Sequence, residues 1–489
     1  MRVSGVWRAG LVVAVVFAAV WACVIAWWRL GEVTPGATRM LVWLVVVPVG
    51  ILCALWIGAR IRRRRAAGAG QEPEAAAAGE AQAPADAAAP QWPPGILAAA
   101  ANLGCGGDAR ALAREPAGLP RPGLHPDLRD RDGLPVLAAF SADLDAAGVA
   151  DRLGTRPGQR IAEEHLRALA LLEPVALELF DAAARLLPAP PAVEERVVAG
   201  LRRSVTAAPH ESGSVHVVAL LPQDMPPALR AECEGWLRGL AADCGLDRRR
   251  STFEVLVEQD AEGTWRRIGR LIEQAPAADA GWQLLLAAAS SVGGRGLHAL
   301  MSAGRLARTG NAEGLVPGEG AAGLLLRPST TVRPQADGPV PELASLRSSP
   351  LQADASARNA ARATGELLAA AMEGAGVGRD DIALVLSDAD QRPSRSVEAA
   401  VAASAACPEL DPVNDCPALG VASGHLGHVG PLALLAVAAE RVREAGLPLL
   451  ALSLASPTTR TAALLRIAAA ETLAQSPANE PGAKPGLAA

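Results

Sequence analysis

At 489 residues and 50.0 kDa the chain has room for one large domain or two to three ordinary ones. Half of its residues are hydrophobic and Tyr is absent; residues 1–65 carry about +8, the rest about −13. A body that acidic lacks the clustered Lys and Arg that phosphate neutralisation needs, which excludes nucleic acid as a partner. The only Lys is Lys484, near the C-terminus, so Schiff-base chemistry and a Walker-A phosphate clamp are excluded as well.

The first elements are apolar. Residues 9–28 and 40–59 are two runs of twenty residues, the second and first alike free of charge, and each is long enough to cross a bilayer core of ~30 Å as a helix. Six of the ten Trp lie between Trp7 and Trp56, several near the ends of these runs, where indole prefers the membrane interface. Arg2 and Arg8 precede the first run, and Arg60 and Arg62 to Arg65 follow the second, whereas the short loop between them is less positive. The positive-inside rule therefore predicts a two-span hairpin over residues 1–65 with both termini and the body cytoplasmic. The membrane expected is a bacterial inner membrane. Residues 66–94 are mostly Ala, Pro, Gly and Glu and read as a flexible tether; residues 471–489 read as a disordered tail.

From Gly95 to residue 470 strand-like runs alternate with helical patterns. Strands are predicted at Ile96–Asn102, Val215–Leu221, Thr252–Val257, Gln283–Ala289, Gly323–Leu326, Ile382–Leu386, Ala418–Ala422 and Leu449–Ala455. Helices are predicted at Ile161–Leu187, Pro226–Ala242, Thr264–Gln274, Ser356–Met372, Ser396–Ala406 and Gly430–Ala445. The alternation implies an α/β body with a mostly parallel, buried sheet. The last helix is Ala, Leu and Val on nearly every side up to Glu440, as a helix between two sheets would be. The Glu232-Cys-Glu234 stretch reads as a solvated face. Seven Cys form no CxxC pair, so neither a zinc site nor a disulfide framework is signalled, and buried reduced thiols are expected.

Three segments of the body, in order and spacing, resemble the β-ketoacyl synthases of the thiolase superfamily. They are Glu313-Gly-Leu-Val-Pro-Gly-Glu-Gly-Ala-Ala-Gly-Leu-Leu-Leu326, the run from Trp265 to Gln274 with Asp279 to Ser290, and Ser423-Gly-His-Leu-Gly-His-Val-Gly430. The resemblance covers residues 95–470 and implies a five-layer αβαβα fold made of two similar halves, commonly dimeric. It also identifies where the family's catalytic groups belong. The nucleophilic Cys falls at Ala261, between two acidic residues that would oppose a thiolate. The first His falls at Ser387, the Lys at Gly420, and the glycine-rich closing loop at Leu454–Arg460, where Pro457 cannot donate an amide hydrogen. Only His425 matches the family's pattern.

His425 and His428 are three apart, which on a helix is one face. With no matching carboxylate or Cys no metal is expected there, and His425 is expected to be hydrogen-bonded and structural, with contact to a bound acyl group as the other reading. His125, His165, His210, His216 and His298 are assigned no role, and no cofactor is signalled. These observations imply a membrane-anchored, catalytically inactive ketosynthase-like protein that acts as a binding or scaffold subunit. Its partners would be a second copy, an active synthase-like paralogue or an acyl carrier protein. Two alternatives stay open: an acyl-thioester-processing enzyme, either acyltransferase or decarboxylase, and a structural accessory of a bacterial secretion machine.

Overall fold

A computed structural model describes residues 93–114, 120–154, 160–187, 213–274, 281–327, 338–352 and 356–468, and the backbone alone of 193–198 and 201–206. The chain divides into two units, Met1–Ala83 and Pro84–Ala489, and every described residue belongs to the second. The expected membrane spans, nearly all of the tether and the tail lie outside the described residues. No helix among the described residues is long and apolar enough to cross a membrane.

The described body opens with β1 (Gly95–Leu103) and α1 (Ala109–Arg114). A hairpin of β2 (Gly123–Arg129) and β3 (Pro135–Ala138) leads through α2 (Ala146–Arg152) to the long α3 (Glu163–Leu186), and β4 (Val193–Val198) and β5 (Leu201–Thr206) form a second hairpin. Then come β6 (Val215–Pro222), α4 (Pro227–Asp243), β7 (Ser251–Glu258), α5 (Ala261–Gln274), β8 (Trp282–Ser290), α6 (Gly294–Ser302) and β9 (Glu319–Arg327). The second half holds β10 (Pro341–Pro350), α7 (Ala357–Ala375), β11 (Leu384–Ser387), α8 (Pro393–Ala406), α9 (Leu419–Ser423), α10 (Gly430–Ala445), β12 (Leu449–Ser453) and β13 (Thr459–Ile467).

Nine strands form one sheet in the order β11-β12-β13-β10-β1-β9-β8-β6-β7. Outward from the middle, β1, β9, β8 and β6 repeat the arrangement of β10, β13, β12 and β11. In each set the first two pairings are antiparallel and the third is parallel. The halves meet at a single register, Gly95 opposite Glu342, and β7 extends the first half by one parallel strand. The fold is thus a mixed α/β fold with two similar halves.

Strand alternation sets the layers. On β6, Val217, Ala219 and Leu221 pack with α3 and α4, whereas Val218 and Leu220 pack with α10 and with Trp265 and Ile268 of α5. The second half mirrors this: Val385, Leu450 and Leu452 face α7 and α8, and Leu384, Leu449 and Ala451 face α10. Helices therefore cover the outer face of each half, and α10 lies between strands of both, buried at every residue from Gly430 to Glu440. Gly446 ends α10 at φ 71°, the left-handed conformation that a helix C-terminus commonly needs and that glycine adopts without strain.

The structure corrects four expectations. The sheet is mixed, not mostly parallel: β9 and β13 run back against their neighbours, and hydrophobic periodicity does not encode strand direction. β10 and β13 escaped the pattern because Pro, Ser, Thr and Arg interrupt their apolar runs. Ala418–Ala422 is not a strand but mostly the short helix α9, a five-residue apolar run that periodicity alone cannot assign. The Glu232–Glu234 stretch is not wholly solvated, because Cys233 is fully buried against the α3 side of the core.

Leu435, fully buried on α10, measures how tightly the halves grip this helix. Leu435→Ala should cost about 2–5 kcal/mol in urea unfolding followed by circular dichroism, because sheet on both sides leaves the cavity little room to collapse. A loss under about 1 kcal/mol would contradict a helix held from both faces.

Candidate functional site

In open α/β sheets ligands bind in the crevice beyond the carboxyl ends of the strands. Here the ends of the parallel strands β6, β7 and β8 open onto a groove of about 700 Å³. Pro222, Ala289, Ala299, Leu300 and Leu426 supply its apolar lining, and His165, Arg295 and His425 are among its polar groups.

His425 enters this groove from a tightly constrained turn. Its backbone N–H donates to the carbonyl of Val316 at 2.9 Å, and it forms a bridge with Pro317. Gly424 before it has φ 64°, and a Cβ there would meet the carbonyls of Val316 and Pro317 at 3.0 Å, so only glycine fits. The His425 ring lines the groove and also a small crevice shared with Asp388, Gly420 and Ala455. Burial, helped by Arg305 and Arg392 and opposed by Asp390, pushes its pKa down to about 4. At neutral pH it is an uncharged donor and acceptor, and among the described residues neither ring nitrogen has a hydrogen-bond partner.

The expected structural role falls instead to His428. Its Nε2–H donates to the carbonyls of Leu220 at 3.2 Å and Ala288 at 3.1 Å, and those two acceptors fix the tautomer. Burial lowers this pKa too to about 4, against the opposing pull of both carbonyls. The two His do not share a helix face: His425 sits at the bridge, and His428 in a 3-10 turn, Gly427–Val429, that precedes α10. Thr264 of α5 donates to the His428 carbonyl at 2.8 Å, which ties the two central helices together.

Ala261 is the first residue of α5 and is buried. The helix dipole there is already answered by the chain itself: Asp260 accepts from the Gly263 N–H at 3.0 Å. Ser387 ends β11, buried, with its N–H given to the Pro417 carbonyl at 3.0 Å. Gly420 lies on α9, where a Cβ would come within 2.2 Å of the Asp388 carbonyl, so no side chain fits there at all. Pro457 is exposed in the loop between β12 and β13. The structure brings Gly420 and His425 into one crevice. Ala261 and Pro457 approach each other only through their neighbours, since Glu262 accepts from Ser456, Thr458 and Thr459.

Sequence reading overlooked the polar frame of the groove. Glu319 is fully buried and takes Arg167 bidentately, at 2.8 and 2.6 Å, as well as the Ser290 hydroxyl and the Ser141 N–H. Glu164 accepts from the N–H groups of Arg295 and Gly296 at the start of α6, at 2.7 and 3.0 Å. Asp224 joins His165 at 3.2 Å and the Arg295 guanidinium at 2.9 Å. Only the Gly-Glu-Gly segment around Glu319 carried a sequence signal; the side-chain and amide partners of Glu319 are 29 to 178 residues away. No group of three His, Cys, Asp or Glu among the described residues could hold a metal. Burial raises the thiols of Cys105, Cys233 and Cys416, to about 11, 12 and 12, which makes them poor nucleophiles.

No protein-family profile matches the chain, and no curated protein matches it by sequence. Solved structures do. The PfaC ketosynthase–chain length factor superposes with a TM-score of 0.50 over 82% of this chain, at 12% identity; this chain spans 45% of that one. A ketosynthase from module 1 of the bacillaene synthase of Bacillus amyloliquefaciens FZB42 gives 0.50 over 79% of this chain and 75% of that one, at 11% identity. At such identities the likeness speaks to the fold, and the chain shares the ketosynthase-like mixed α/β fold.

The buried His pair makes stability pH-dependent with a definite sign. The folded pKa of His428 lies below its ordinary value of 6.5, so between the two the unfolded chain binds the extra proton. Its contribution is full above about pH 6.5 and is lost as pH falls toward 4, by roughly 3 kcal/mol, and His425, lowered to the same value, adds in the same direction. Urea unfolding at pH 7, 6 and 5 should show this slope, and His428→Asn should flatten it. An unchanged slope in that variant would assign the loss to other groups.

Proposed function

We propose that this chain is a catalytically silent, ketosynthase-like binding subunit, held at the cytoplasmic face of a bacterial inner membrane by its two apolar N-terminal runs. One observation carries the reading: α5 begins at Ala261 with the Asp260 carboxylate on its first-turn amide, where a condensing enzyme of this fold holds a thiolate. Serine at 387, glycine at 420 and proline at 457 support it: the Ser387 hydroxyl is turned to the Pro417 carbonyl at 3.5 Å, Gly420 carries no charge and Pro457 has no amide hydrogen. The groove beside β6–β8 remains. Its apolar lining and the neutral His425 ring suit the acyl or pantetheine part of a carrier-bound thioester, which would be bound and not processed.

Pairing with a second synthase-like chain, a copy or a paralogue, is the second part of the proposal. β7 is the outermost strand of the first half, and one of its sides has no strand beside it among the described residues. Its Val255, Leu256 and Val257 are only half-buried, as an edge awaiting another strand would be. Such pairing is isologous for two copies and would extend the sheet across the interface.

The second reading, an acyl-thioester-processing enzyme, is favoured by the unpartnered His425 ring in the groove. Incubation with labelled acyl and malonyl thioesters, followed by intact mass and product analysis, separates the two. The silent reading expects no mass increase and no product, with carrier binding weakened severalfold in His425→Ala. A covalent adduct, or turnover abolished in His425→Ala, would establish the enzyme. Light scattering of the detergent-solubilised chain reads the pairing: a monomer at micromolar concentration excludes self-association through β7.

A further inference from the structure

The loop between β12 and β13, residues 454–458, is fastened from three directions. Asp388, on the turn after β11, accepts from the Ser453 hydroxyl at 2.6 Å and the Leu454 N–H at 2.5 Å. The buried Arg460 donates to the Ser456 carbonyl at 2.7 Å and is itself gripped by Glu398 of α8 at 2.6 Å. The third fastening crosses between the halves. Glu262, on the first turn of α5, accepts from the hydroxyls of Ser456, Thr458 and Thr459 at 3.3, 3.3 and 3.1 Å. Ser456 meanwhile takes the N–H groups of Thr458 and Thr459 at 3.2 and 3.1 Å, so the loop is braced internally. It contains no glycine, and Pro457 fixes its φ.

We infer that this loop is a permanent strap, tying the first half to the second across the start of α5, and not a gate that opens to admit a ligand. Three ionisable side chains from three elements would have to release it together, each being left with unsatisfied hydrogen-bonding capacity. The crevice beneath it, between Asp388, Gly420 and His425, measures about 20 Å³, room for one water. His425 is then reached only from the groove at β6–β8. This holds whether or not the groove binds a carrier, so it stands apart from the proposed function.

The test places a reporter beside the strap's anchor, at the buried residue before Glu262. In the full-length chain carrying Ala261→Cys, iodoacetamide labelling is followed at that residue by peptide mass. Labelling is expected to be about a hundredfold slower than in the urea-unfolded chain, since it waits for local opening. Adding Glu262→Ala should raise the rate about tenfold by removing the carboxylate that three hydroxyls share, with the circular dichroism unchanged. Because Glu262 also opposes the introduced thiolate directly, the increase is assigned to the strap when the amides of residues 454–459 exchange faster in the same variant; faster labelling without faster exchange overturns the inference. Labelling near the unfolded rate, or a rate indifferent to Glu262→Ala, overturns the inference. Should that variant fail to fold, Glu262→Gln and hydrogen exchange in the unaltered chain read the same property: strap amides of residues 454–459 exchanging at unprotected rates overturn it equally.

Discussion

A helix that is apolar on every side can persist in water only if something covers every side. Residues 430–439 of α10 contain no charged group, and all of them are buried. Nothing smaller than two sheet faces can do this, so the burial of α10 obliges the two halves to close on one another. At roughly 1.5–3 kcal/mol for each fully buried Leu or Val, α10 and its neighbours supply the largest coherent block of stabilisation in the body. The site follows from it. The turn that starts α10 presents His425 to the groove and His428 to the strand ends, and Thr264 fixes α5 to that same turn.

Against this rigid centre, three places that could take a negative charge are satisfied by the chain itself. A helix N-terminus is an anion site, and α5 fills its own with Asp260. The start of α6 is filled by Glu164 from α3, and the loop amide at Leu454 by Asp388. Each is a position where a developing negative charge on a substrate could have been stabilised, and each is occupied by a carboxylate of the chain. Those carboxylates stabilise the folded protein and leave a ligand only the groove itself.

The sequence disclosed those features whose signal is local or periodic. The all-round apolarity of residues 430–439, the alternation in β6 and β8, and the Gly-His segment each announce an element without any knowledge of its partners. Gly430–Ala445 coincides with α10 residue for residue. What stayed hidden depends on distance in sequence. The Glu319–Arg167 pair and the Asp224–His165–Arg295 cluster arise from contacts across 59 to 152 residues, and the direction of β9 and β13 from pairing that no spacing rule encodes. That the His428 ring, and not the His425 ring, finds acceptors has a subtler cause. Which ring finds acceptors depends on where the ends of β6 and β8 stop, and that is decided by the tertiary fold.

The two halves also share an electrostatic device. β9 and β13 occupy equivalent places, and the start of each carries one partner of a buried ion pair: Glu319 with Arg167 of α3, and Arg460 with Glu398 of α8. Burying such a pair contributes little net stability against an apolar replacement, but stranding one partner costs about 3–5 kcal/mol. The pairs therefore act less as a source of stability than as a penalty on displacement. Each fixes the point at which the chain enters its return strand, and the segments just before those points are the one that holds His425 through Val316 and the one that forms the strap. Rigidity at both entrances suits a protein that presents a fixed surface to a partner. Under the proposed binding role, the groove would keep one shape with and without its ligand.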